Sequence, residues 1–319
     1  MTLMRILALA VTSVFVTTAA SAQTVGLAGA KAGFTAQASS AIAKVVSEKT
    51  GLKMRAQTFG GSSVYVPQVS AGTLQFGLAN ELETHFAVTG TGIYKGRAQP
   101  DLQIASVLVP FRVAIFSRKG SAIGTIADLK GKRVPSGWTS QKIIDVLMKA
   151  ELASAGLTYD DVVQVPVASV VVSADDFAAG KLDVFFFVVG AGKVKETDAR
   201  VGGIQVVEID GSPEGVKRMR QHVPPAYATT LTPGPQNTGV HKPSVLMAYD
   251  YLMLTNKKVP ADTVYKVVKA MHDNPKELAA AFPGMRLFKP NGMTKELPGV
   301  SYHAGAEKFY KETGQWPPK

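Results

Sequence analysis

Residues 24–80 read TVGLAGAKAGFTAQASSAIAKVVSEKTGLKMRAQTFGGSSVYVPQVSAGTLQFGLAN, and their rhythm decides the fold. Residues 24–28 form a strand-like run that enters the glycine-punctuated turn 29–33. Ala38, Ile42, Val45 and Val46 then recur at helical spacing over 35–50, with Gly51 as the stop. A second strand is predicted over 53–58, and Gly60-Gly61-Ser62-Ser63 turns the chain into a helix over 64–71. A third strand follows at 75–79. Used twice, this strand–turn–helix unit leaves each turn at the carboxyl end of a strand, where open α/β sheets bind their ligands.

The alternation continues outward. Strands are predicted at 102–109, 113–117, 162–165, 184–189 and 204–208, and helices at 141–155, 261–271 and 275–281. A short helix, a turn and a strand are read over 126–134, and an apolar run over 244–255. Residues 224–243 crowd Pro, Gly, Asn and Thr together and read as turns. No stretch repeats with the period of a solenoid or propeller. The pattern predicts an α/β protein on mixed or parallel sheets. Two lobes fit it: 23–114 as the first, 115–245 as the second, and 246–319 returning to the first with the C-terminal helices. The strand at 113–117 and another within 245–255 would cross between them, giving a hinged pair with a cleft.

Residues 1–22 stand apart. Arg5 is their only charge, 6–16 are apolar, and Ala20-Ser21-Ala22 supplies small residues for cleavage after Ala22. That is a signal peptide, with an apolar run shorter than the roughly 20 residues that span a bilayer. The mature chain is expected to be exported, soluble and periplasmic.

The 319 residues are 46% hydrophobic and 18% charged, which excludes a disordered chain. The absence of Cys excludes disulfide scaffolds, thiolate metal sites and cysteine nucleophiles. The net charge of +11 is scattered rather than gathered into a stripe, so no nucleic-acid partner is predicted. A basic surface suits a negative ligand or membrane.

Enzyme signatures are missing. The chain carries no dinucleotide-binding glycine fingerprint, no phosphate-binding P-loop and no G-x-S-x-G elbow. None of the five histidines lies three or four residues from another, so no local metal pair is present. Adjacent acids at Asp160-Asp161 and Asp175-Asp176 face different ways on a helix or turn. No catalytic residue, metal or cofactor is therefore assigned, and His303 is read as fixing the last helix. An exported enzyme with a dispersed site and a sensor for a membrane receptor stay open as alternatives.

The sequence does offer helix starts at strand ends. Gly33-Phe34-Thr35, Gly61-Ser62-Ser63 and Trp138-Thr139-Ser140 are three. A helix N-terminus presents unpaired N–H groups and a positive dipole end, which suit a carboxylate. Lys31 and Arg112 are the cations nearest these turns in sequence, and Asn80 ends the third strand. Phe34 and Trp138 would supply aromatic walls.

Several segments resemble, in order, those of the TAXI family, the glutamate-binding-protein-like periplasmic components of TRAP transporters. They are Gly60-Gly61-Ser62, residues 71–80, Ile104-Ala105-Ser106 with Pro110, residues 127–134, Gly180-Lys181-Leu182-Asp183 with Phe186-Phe187-Val188-Val189-Gly190, and residues 303–310. The resemblance implies a two-lobed fold of the type II periplasmic binding-protein kind, closing over one small organic anion and presenting it to a TRAP membrane permease. Phe187 and Gly190 join the ligand-binding candidates within these segments. Departures fall at Lys31, Phe111-Arg112, Trp138-Thr139-Ser140-Gln141 and Ala191-Gly192. They put glutamate itself in doubt and imply a small organic anion (an amino acid, keto acid or dicarboxylate), with a smaller or flatter keto or dicarboxylic acid suggested by the new cations and the indole.

Overall fold

The computed structural model describes residues 23–31, 33–297 and 299–318, so the predicted signal peptide lies outside it. The opening rhythm is realised as β1 (Thr24–Ala30), α1 (Phe34–Thr50), β2 (Lys53–Phe59), α2 (Ser62–Ala71), β3 (Phe76–Asn80) and α3 (Glu81–Thr89). α1 turns Ala38, Ile42, Val45 and Val46 inward and ends at Gly51 in the left-handed conformation, as its spacing predicts. A Cβ at Gly29 would sit 2.6 Å from the Thr35 carbonyl oxygen and 2.7 Å from Ser39 Oγ. Glycine there lets the start of α1 lie directly on β1.

Next come β4 (Leu102–Arg118), β5 (Arg133–Ser136), α4 (Lys142–Ser154), β6 (Val163–Pro166), α5 (Val170–Ala178), β7 (Val184–Val188) and α6 (Gly192–Val201). The chain continues through β8 (Ile204–Val207), α7 (Pro213–Arg220), β9 (Tyr227–Leu231), β10 (Ser244–Asn256), α8 (Ala261–Asp273), α9 (Pro275–Ala281) and α10 (Ala304–Glu312).

Two readings need correction. The two strands expected at 102–109 and 113–117 are one strand of 17 residues that runs through Pro110. Pro110 shares its strand parity with Arg112, whose carbonyl accepts from Val189 N. Its missing N–H therefore falls on the β7 edge, before β7 begins pairing at Val113. The stretch read as turns contains β9, which pairs antiparallel with β10 from Leu231↔Ser244 to Tyr227↔Ala248.

Among the described residues, eight strands form one mixed sheet in which β2, β1, β3, β10, β4 and β7 are successive neighbours. β9 adds to β10, β8 adds to β4, and β5 with β6 makes a separate parallel pair. One hydrophobic cluster joins Leu27, Ile42, Val69, Leu78, Ile104, Leu254, Val267 and Phe309. A second joins Ile115, Phe116, Leu147, Phe177, Phe185, Met219 and Met247. β4 and β10 contribute residues to both, the change falling between Val109 and Val113 and between Tyr249 and Leu252. Each large side chain so buried contributes about 1.5–3 kcal/mol.

Candidate functional site

Helix starts fall into two kinds. Asn80, Ser169, Ser212 and His303 cap α3, α5, α7 and α10 with a side-chain acceptor. Among the described residues, α1, α2, α4, α6, α8 and α9 follow Gly33, Gly61, Gln141, Ala191, Pro260 and Asn274 and have no side-chain cap. Of these, α1, α2, α4, α6 and α8 come after the carboxyl end of a strand: β1, β2, β5, β7 and β10 respectively. Their first N–H groups are the donors a helix leaves without intrahelical partners.

The starts of α1 and α2 converge. Thr35 Oγ1 accepts from Ala30 N at 3.0 Å, closing the turn between β1 and α1. The Tyr65 phenol on α2 donates to the Leu78 carbonyl and lies beside the Thr35 hydroxyl. Phe34, the first residue of α1, touches Phe111 of β4 and Tyr251 of β10 at ring-centroid distances of 5.4 and 5.3 Å. Phe111 in turn lies 4.8 Å from Tyr251 and 5.8 Å from Tyr249. The half-buried rings of Phe34, Phe111 and Tyr251, with the buried Tyr249, form an aromatic seat where the two clusters meet.

Behind α2 lies a carboxylate. Glu83 of α3 is 1% exposed; Ser62 Oγ donates to one of its oxygens and Tyr94 Oη to the other at 3.0 Å. Burial pushes its carboxyl up, and the two hydroxyls act against that shift. The Tyr251 phenol is raised by burial and by the nearby Glu83. Glu83, Tyr94 and Tyr251 were not singled out in the sequence, and Phe111 only as a departure from the family pattern. The alternation Tyr249-Asp250-Tyr251 was the available signal, since it places two rings on one face and an acid on the other.

The structure brings together Phe34, Thr35, Ser62 and Asn80, but Asn80 is occupied, its Oδ1 accepting from Glu83 N at 2.7 Å. Lys31 and Ser63 are exposed beside them, with Lys31 N donating to the Phe59 carbonyl at 2.9 Å. Arg112 is elsewhere. It follows Phe111 on β4 and points to the opposite face, in register with Ala248 and through it with Tyr227. Burial lowers its pKa while the Tyr227 phenol opposes that shift.

Trp138 departs from its expected role. Its side chain is fully buried in the second cluster, edge-on to Phe186, with Nε1 donating to Tyr159 Oη at 3.2 Å. Its backbone sits at φ 44°, a left-handed conformation costing a non-glycine residue about 1–2 kcal/mol. It is thus a packed core residue and not an open wall. Thr139 and Ser140 are exposed, but their amides already donate to the Val167 and Ala168 carbonyls. What they present outward is hydroxyl groups. Phe187 is half-buried on β7 opposite Ala114. Gly190 has φ 86° and leaves room for only a hydrogen beside the Gln236 carbonyl.

On the Arg112 face lies a second polar group. Lys295 Nζ is 2.7 Å from Asp250 and 3.6 Å from Glu81, and sits 5.2 Å above the Tyr227 ring. Tyr227 Oη donates to Asp250 at 3.3 Å. Burial pushes the Glu81 carboxyl up to about 7, partly offset by Lys295. A cavity of about 100 Å³ between Glu81, His85, Pro224, Pro225 and Leu297 adjoins this group. Among the described residues, no set of three or more His, Asp or Glu is grouped to hold a metal, and no helix is long and apolar enough to cross a membrane.

The fold is that of periplasmic binding proteins. A structure described as a periplasmic transporter superposes with a TM-score of 0.56 at 16% identity, covering 92% of this chain and 93% of its own. A TctC solute-binding protein from Polaromonas gives 0.54 at 12% identity, covering 83% and 89%. The periplasmic aliphatic sulphonate binding protein of Escherichia coli gives 0.50 at 13% identity, covering 94% and 95%. At these identities the likeness is one of fold. The sequence itself matches the model of the NMT1-like family from residue 29 to residue 314, so the chain belongs to the NMT1-like family.

Proposed function

We propose that the protein is an extracytoplasmic solute-binding protein that captures a small organic anion between two lobes and delivers it to a membrane permease of a TRAP, TAXI-type transporter. The lobes are 23–114 with 246–319, and 115–245, and the polypeptide reaches the periplasm by cleavage after Ala22. One observation carries the reading: α1, α4 and α6 begin after strand ends with their first N–H donors uncapped by a side chain. Such starts favour anions through both the free donors and the helix dipole. β4 and β10, which serve both clusters, are the strands about which the lobes would turn. A ligand that touches both lobes only when they are closed shifts the hinge equilibrium by its own binding free energy.

In this reading Phe34, Phe111 and Tyr251 seat the solute, the start of α1 holds an acidic group, and Thr139, Ser140 and the Gly190 turn approach from the second lobe. Arg112 and Trp138 have no part in it. The test is thermal unfolding of the mature protein against amino acids, keto acids, dicarboxylates and sulfonates. A solute bound by the folded form alone at 100 Kd adds about 2.7 kcal/mol. A flat response to every acid, with no co-purified mass in native mass spectrometry, overturns the proposal.

A further inference from the structure

The start of α2 differs from the start of α1, although neither has a side-chain cap. Ser62 Oγ carries one hydrogen, and that hydrogen is given to Glu83. The second Glu83 oxygen takes the Tyr94 hydroxyl at 3.0 Å, and among the described residues no cation compensates the carboxyl. Glu83 is buried, whereas Ser62 is half-exposed. The unshared electron pairs of Ser62 Oγ are therefore what this position turns outward, with an acidic side chain fixed behind them. An incoming carboxylate would meet lone pairs backed by a carboxyl group. An incoming O–H or N–H would meet an acceptor. The α1 start has no such carboxyl bonded to it: Thr35 Oγ1 accepts from Ala30 N and Gly33 precedes the first turn.

We propose that Ser62 and Glu83 form a donor-reading subsite: the solute is an organic acid whose other end carries a hydroxyl or ammonium group, and that group donates to Ser62 Oγ. This deepens the solute-binding reading and rests on it. Of the amino acid, keto acid and dicarboxylate that the sequence alone leaves open, it disfavours the last two. A site built around an acceptor discriminates against an analogue lacking the donor, because the acceptor is then left unpaired.

The experiment is titration calorimetry on the mature protein with acids of three to six carbons ending in amino, hydroxyl, carboxyl or methyl groups, together with taurine, isethionate and ethanesulfonate. At the chain length that binds, the amino or hydroxyl member is expected to bind at least tenfold more tightly than the diacid and the methyl-ended acid. Glu83→Gln keeps a partner for both hydroxyls and frees the Ser62 hydrogen to point outward. It is expected to narrow the preference over the diacid at least tenfold, with the larger loss for whichever of the amino or hydroxyl member owes more to the carboxylate charge. A diacid or methyl-ended acid that binds as tightly as the donor-bearing one overturns the subsite while leaving the solute-binding reading intact. An unchanged ranking in Glu83→Gln does the same. Silence across the whole series, in protein that still unfolds cooperatively, overturns both.

Discussion

Phe111 and Arg112 are neighbours on β4 that serve opposite faces of the sheet: the Phe111 ring lies 5.4 Å from Phe34, and Arg112 faces Tyr227 across β10. The cation draws attention in the sequence, but the ring beside it is the residue on the seat. Arg112→Met is therefore expected to leave solute affinity within about twofold, whereas Phe111→Ala removes three ring contacts and costs about 2 kcal/mol of stability as a half-buried aromatic. Calorimetry with the best-binding acid and urea unfolding measure the two effects. Loss of binding in Arg112→Met would return the guanidinium to the site.

Trp138 is expected to act on stability and not on recognition. Its indole is fully buried, so Trp138→Ala should cost about 3–5 kcal/mol. The milder Trp138→Phe keeps most of the packing and gives up only the bond to Tyr159, and its solute affinity should match that of the parent. In a Trp316→Phe background, Trp138 fluorescence should resist iodide quenching with and without solute. Quenching that solute relieves would place the indole at the cleft.

Periodicity made the first half of the fold legible. The strand and helix readings over 24–80 differ from the observed elements by at most two residues at any end. β4 was split because Pro110 is a strand breaker by local rules, and only the empty edge beside it makes it tolerable. β9 was lost among turn residues because its pairing with β10 is tertiary information. The helix starts of the candidate site were legible where backbone geometry dominates, at Phe34, Thr35 and Ser62. It was not legible where burial decides, since neither the sequestering of Trp138 nor the carboxyl of Glu83 behind Ser62 has a local motif.

Lys295 holds two acids on the face away from the seat. Asp250 and Glu81 side chains are 10% and 8% exposed, so Lys295→Met leaves two nearly buried carboxyls without their cation. Lys295 is itself 35% exposed, and allowing for screening the loss should be about 2 kcal/mol near neutral pH. The pH dependence has a definite sign. The folded-state pKa of Glu81, about 7, lies above its ordinary value of 4.5. Its stability contribution is complete below the unfolded value and is lost as pH rises through about 7. Removing Lys295 raises the folded value further, so the deficit of the variant should be larger at pH 8.5 than at pH 5 in urea titrations. An equal deficit at both would show that Glu81 does not feel the ammonium.

Glu151 is the sharpest test of how the second cluster is packed. It sits on α4 with no exposed surface, and among the described residues neither carboxyl oxygen has a hydrogen-bond partner. Burial alone drives its pKa well above the ordinary carboxylate value, so the folded protein holds it protonated. A neutral acid without partners still costs about 1–3 kcal/mol relative to an apolar side chain of similar shape. Glu151→Met is therefore expected to raise stability by that amount near pH 4 and by more near pH 7. Because the folded-state pKa exceeds the unfolded one, the folded chain binds the extra proton, and stability falls with pH above the unfolded value near 4.5. The variant should lose that part of the slope, so its advantage should widen between pH 4.5 and 7.5 in urea unfolding. The opposite result, a variant weaker than the parent at every pH, would mean that the carboxyl finds a partner in solution, and the Tyr249 phenol, which lies close enough to feel its charge, is the group to remove next.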